Sequence, residues 1–100
     1  MEKRDLIMRA LAVGQSATAL YAGRHDVTIE TRSADYGFGV IIMIYPRNKE
    51  KDLIYDKSEN GREFLRLHSF EFFDWNSFED LQKEFSKMNK FMFDSKMIGI

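Results

Sequence analysis

The spacing of apolar residues changes its period near residue 25, and that change decides the class of fold. Leu6, Ile7, Ala10, Leu11, Val13, Gly14, Ala17, Leu20 and Tyr21 recur at steps of three and four, which lines one face of a helix. From Asp26 the step becomes two: Val27, Ile29 and Thr31 alternate with Thr28, Glu30 and Arg32, the pattern of a strand with one buried face. A helix stripe followed by strands must be buried against the sheet those strands form, so the chain reads as α+β. Gly14 interrupts the helix at a cost of about 1 kcal/mol relative to Ala, which suggests a close helix-to-sheet contact there. Ala22-Gly23 supplies the expected helix cap.

The next segments extend the β reading. Tyr36 to Tyr45 is apolar on both alternating sets, as a central strand requires. Pro46-Arg47-Asn48 is turn chemistry and leads to a third strand over Asp52 to Lys57. Asn60-Gly61 then predicts a hairpin, with Arg62 to Phe70 returning antiparallel as a fourth strand. A capping box, Asn76 with Glu79 or Ser77 with Asp80, opens a second helix whose stripe is Phe78, Leu81, Phe85, Met88 and Met92. The expected architecture is α-β-β-β-β-α in one domain over residues 1–100: an antiparallel four-stranded meander with the N- and C-terminal helices packed on one face. The apolar tail, Lys96 to Ile100, is expected to pack on the core, with an added edge strand, cover for the second sheet face or contact with a partner as the alternatives.

Composition narrows the function by exclusion. The 100 residues include 15 basic and 16 acidic side chains, so a large positive field for non-specific nucleic-acid binding is absent. With no cysteine there is no disulfide framework, thiolate nucleophile or Cys-ligated zinc. His25 and His68 stand alone in the sequence, and no nucleophile elbow, Walker loop or dinucleotide fingerprint occurs. No catalytic residue, metal site or cofactor is predicted. The N-terminal segment does not read as a signal peptide, and the run Val40 to Tyr45 is far shorter than the roughly 20 residues of a membrane span. These features lead to the expectation of a cytoplasmic, non-enzymatic chain.

What remains is surface. In the expected fourth strand Arg62, Phe64, Arg66, His68 and Phe70 share one parity, opposite Leu65, Leu67 and Ser69. If Leu65 and Leu67 face the helices, the first set forms an arginine-aromatic face on the open side, whereas in a chain with nine Phe the competing reading is that Phe64 and Phe70 belong to the core. On the second strand Met43 and Tyr45, with Ile41, lie on the parity that one helix layer leaves uncovered. A second candidate is the acidic corner of Glu71, Asp74, Trp75, Glu79 and Asp80, although Glu79 and Asp80 also suit the first turn of a helix and a lone Trp75 suits a core plug.

Tyr36-Gly37-Phe38-Gly39-Val40-Ile41 resembles the RNP1 motif of RRM domains, which implies a nucleic-acid-binding sheet face at Phe38; a nucleic-acid-binding module built on that face and on the arginine-aromatic strand would use Phe38, Phe64, Arg62, Arg66 and His68. The resemblance departs from that family where Tyr36 replaces a basic residue, where Val40 and Met43 replace aromatics, and in having no strand before the first helix. The leading expectation is a protein-binding inhibitor or adaptor that occludes a macromolecular partner, such as a nuclease or toxin. It is the kind of protein phages and mobile elements use against host defence, as anti-CRISPR proteins do, or a toxin-immunity protein. Alternatives are the nucleic-acid module and a self-associating subunit, including a homodimer through the uncovered sheet face.

Overall fold

In a computed structural model the described residues are 2–20, 25–35 and 37–94. Helix α1 (Lys3–Leu20) is followed by strands β1 (His25–Ala34) and β2 (Gly37–Pro46), short strands β3 (Tyr55–Lys57) and β4 (Glu63–Leu65), strand β5 (His68–Phe73) and helix α2 (Phe78–Asp94). The expected cap at Gly23, the end of the helical stripe at Tyr21, Tyr36 of the glycine motif and the tail from Lys96 all lie outside the described residues. No described helix is long and apolar enough to cross a membrane.

The α+β class and the antiparallel strands hold, but the four-stranded meander does not. One sheet has the order β1-β2-β5, and β3 and β4 form a separate two-stranded ribbon. The reason lies in β2. Its two apolar sets make it a central strand that needs a neighbour on each side. The polar segment Tyr55-Asp56-Lys57 cannot fill the second place, whereas His68–Phe73 brings Phe70 and Phe72 opposite Ile42 and Val40. Just past β2, the start of the expected third strand meets the chain through the isolated bridge Arg47↔Leu53, outside both β2 and β3. The expected fourth strand is therefore broken at Arg66-Leu67, with one half in the ribbon and the other in the sheet.

Both helices cover the face that carries Val40, Ile42, Ile44, Phe70 and Phe72, all buried. Leu6, Ile7, Ala10 and Ala17 enter from α1, and Leu81, Met88 and Met92 from α2, as their spacing requires. Each large side chain fully removed from water contributes about 1.5–3 kcal/mol, so this layer dominates the stability. Gly14 lets α1 approach the sheet: a Cβ there would lie 3.0 Å from Ile42 Cδ1 and 3.2 Å from Ile29 Cδ1. Helix α2 starts with Ser77, whose hydroxyl accepts the Asp80 N–H at 3.1 Å, so Ser77 rather than Asn76 is the cap. Asn76 instead accepts the N–H of Phe73 at 3.2 Å.

Candidate protein-binding surface

Strand β2 leaves the sheet at Pro46, and the chain is held there by Arg47. Its guanidinium donates two bonds to the Asp26 carboxylate, at 2.9 and 2.6 Å, and a third to the Lys51 carbonyl. These bonds keep the Asp26 carboxyl below, and the Arg47 guanidinium above, their usual ranges. Asn48 closes the turn, accepting the Lys51 N–H through its carbonyl at 3.0 Å and the Asp52 N–H through its side chain at 2.9 Å. The root of the ribbon is thus tied to the first residues of β1.

The ribbon itself turns where Asn60-Gly61 predicts, by a three-residue loop. The Ser58 carbonyl accepts the Gly61 N–H at 2.9 Å, and the Ser58 N–H donates to the Arg62 carbonyl at 2.8 Å. Gly61 has φ 81°, a left-handed conformation that a residue without Cβ adopts freely. Along the ribbon Arg66 donates to both Asp56 oxygens, at 2.9 and 2.6 Å, which holds the Asp56 carboxyl below its usual range. The Arg66 N–H bonds the Ile54 carbonyl at 2.8 Å before the chain steps across to β5.

Two faces result from the register Tyr55↔Leu65, Asp56↔Phe64 and Lys57↔Glu63. One carries Phe64, Asp56 and Arg66, and the other carries Tyr55, Lys57, Glu63 and Leu65. Tyr55 is 60% exposed and Phe64 is 51% exposed, and Leu67 at the foot of the ribbon is exposed too. Strands β3 and β4 pack on each other, and among the described residues no other element packs substantially on either.

The structure divides the residues that the sequence placed on one arginine-aromatic face. Arg62, Phe64 and Arg66 are on the ribbon and exposed. Phe70 is only 6% exposed, in the core facing α2, and His68 is half-buried with its ring 4.2 Å from that of Phe91. The physical cause is the break at Arg66-Leu67, which ends the parity that one continuous strand would have preserved. Burial and the Arg66 charge push the His68 imidazole below its ordinary value, with Asp56 opposing.

Among the described residues no helix covers the second sheet face, and Met43 and Tyr45 are on it. Both are half-buried, and the Tyr45 hydroxyl donates to the Met43 sulfur at 3.8 Å. Ile41, between Glu30 and Glu71 in the register, is only 7% exposed without any helix above it. At the far end Phe73 lies over Gly39, and Trp75 stacks on Phe73 with centroids 4.3 Å apart and planes at 9°.

That stack revises both the acidic corner and the glycine motif. Trp75 is 51% exposed, not a core plug. Asp74 accepts the Phe38 N–H at 3.1 Å, returns its own N–H to the Phe38 carbonyl at 3.0 Å, and fills the space beside Gly37, so its role is to join β2 to the turn after β5. Glu79 pairs with Lys83 at 3.6 Å on the exposed side of α2. Glu71, Asp80 and Glu84 line a cleft with Trp75, and Glu84 accepts the backbone N–H of Glu71 at 3.0 Å. In the motif, Phe38 packs against the helix-covered core beneath Arg4, so it is not a stacking platform on the open face, and its glycines admit Asp74 and Phe73. The five residues of the nucleic-acid reading therefore do not share a face.

The ribbon is the feature that sequence reasoning missed. The signal was available in the polarity of Tyr55-Asp56-Lys57, which cannot flank a strand that is apolar on both sides. No protein-family model matches the chain, and comparison with curated proteins and with solved structures finds no significant match.

Proposed function

We propose that the protein acts without chemistry of its own, as an inhibitor or adaptor that occupies another protein's surface through the β3–β4 ribbon. The observation that carries this reading is a two-stranded ribbon with exposed aromatic residues on both faces and, among the described residues, no packing layer on either. An isolated ribbon of this kind is marginal in water, and burial of Tyr55 and Phe64 in a partner would stabilise it. Its two bidentate Arg-Asp pairs, one at the root and one along its length, hold it in place before binding, which lowers the ordering cost of association. A narrow projecting ribbon suits a concave surface. The partner class is therefore an enzyme with a cleft, with a nuclease or toxin as the first case to test.

The test is capture from extracts of cells that express the chain, followed by titration of the captured protein. The wild-type protein is expected to bind one partner per ribbon and to block the partner's activity at stoichiometric amounts. Tyr55→Ser with Phe64→Ser should remove binding, while Met8→Ser on exposed α1 should leave it unchanged. Undiminished binding by the ribbon variant would refute this role and move attention to the cleft beside Trp75.

A further inference from the structure

The two edges of the three-stranded sheet are treated differently. On β5 the outward N–H groups of Glu71 and Phe73 are taken by Glu84 and Asn76, which blunts that edge. Because those two N–H groups point away from β2, their opposite numbers Ile41 and Gly39 direct their backbone groups to β1, where they meet Glu30 and Arg32. The intervening residues of β1, Val27, Ile29, Thr31 and Ser33, therefore direct their N–H and C=O groups outward. Among the described residues no donor or acceptor meets them.

This open edge is long and regular. It pairs with β2 over ten consecutive positions without a bulge, and it contains no Pro, Gly or Lys to discourage a further strand. The core also thins toward it: Val27 and Ile29 of β1 and Val13 of α1 are only half-buried although they pack against the core cluster. Both the backbone bonds and the apolar layer stop short at the same line.

We propose that this edge binds a second copy of the chain, with β1 pairing antiparallel to its own counterpart about a two-fold axis at Ile29. Charge selects this occupant and this register. In a continuous two-fold sheet, residues of like parity oppose each other, so the axis falls on a residue. An axis at Thr28 would set Asp26 against Glu30 twice, and one at Glu30 would set that carboxylate against itself. An axis at Thr31 pairs Glu30 with Arg32 but puts Ile29 opposite Ser33. At Ile29 the axis sets Arg32 opposite Asp26 twice and brings the two half-buried isoleucines together across the seam. Arg32 is exposed and, among the described residues, held by Glu30 of its own strand at 3.3 Å, while Asp26, whose two oxygens already accept from Arg47, has remaining lone pairs for a second cation. The assembly would be a six-stranded sheet closed by two-fold symmetry. Since each ribbon leaves β2 beside the start of β1, the two ribbons would project from opposite ends, which makes the dimer bivalent.

The experiment is multi-angle light scattering on the full chain across a dilution series from about 1 μM to about 1 mM, the range of small interfaces. The wild-type protein is expected to pass from 11.8 kDa to about twice that mass. Thr31→Pro removes an outward N–H that no internal bond uses, and Arg32→Glu faces Asp26 of the second copy. Each should leave the chain monomeric with its circular dichroism unchanged, and the exposed Arg32→Glu serves should the proline variant fail to fold. Because the chain has no cysteine, Ile29→Cys offers a register test. Hydrogen-bonded antiparallel partners have Cα atoms about 5.5 Å apart, within the span of a disulfide, so mild oxidation should cross-link the dimer. A monomer at every concentration, or a dimer that both edge variants leave intact, overturns the proposal. Phe64→Ser should not affect dimerisation, so failure here is distinguishable from failure of the ribbon as a binding element.

Discussion

Replacing Gly39 by Ala tests the aromatic arrangement on the uncovered face. A Cβ at this position would lie 2.0 Å from Phe73 Cδ1 and 2.9 Å from the Phe72 carbonyl oxygen. Ordinary contact begins near 3.4 Å, so the ring must retreat by about 1.4 Å, and the carbonyl belongs to a neighbouring strand that moves only if the β2–β5 ladder opens. Overpacking of this kind costs about 1–3 kcal/mol, against which alanine recovers about 0.5–1 kcal/mol of glycine's backbone entropy. The net expectation is a destabilisation of about 1 kcal/mol and at most about 2.5 kcal/mol, read from urea unfolding. Trp75 is the single tryptophan and stacks on the displaced ring, so its emission should shift to the red in the folded variant. The Phe73→Ala background isolates the cause. With the ring gone only the carbonyl contact remains, and Gly39→Ala should cost about 1 kcal/mol less than in the wild type. Equal costs in both backgrounds, or a variant as stable as the wild type with unchanged emission, would refute the placement of Phe73 over Gly39.

Two further perturbations address the core and the junction between helix and ribbon. Met88 is fully buried and Met8 is exposed, so Met88→Ala should cost about 2–5 kcal/mol and Met8→Ala less than about 0.5 kcal/mol in thermal unfolding. His68 binds protons less readily folded than unfolded, so its contribution is fully present above its ordinary value of 6.5 and is lost as the pH falls through 6.5 toward the depressed folded value. Urea midpoints from pH 8 to pH 5 should fall in that window and flatten in His68→Gln. A second loss, from Asp26 and Asp56, should begin only as the pH falls below their ordinary 3.8.

The elements themselves were legible in the sequence because each depends on local periodicity. The stripe of α2, the central position of β2 and the turn at Asn60-Gly61 all follow from spacing and turn chemistry, and the structure has them. The sheet order was not legible, because it depends on which segment competes best for the second side of β2. One apparent strand from Arg62 to Phe70 concealed a two-residue step between two sheets. That step moved Phe70 into the core and left Phe64 exposed, and so divided the candidate site.

Sequence alone determined the class of this protein, the apolar layer that two helices cover, and the absence of thiol chemistry. Each follows from residue identity and local period, independent of how distant segments meet. Long-range packing set the rest: the strand pair at Tyr55 and Phe64 stands apart, Trp75 lies on the surface, and one sheet edge is closed by Glu84 and Asn76 while no described residue pairs with the other. Those outcomes are set by competition among segments far apart in the chain for a place beside β2, and no local pattern records which segment wins.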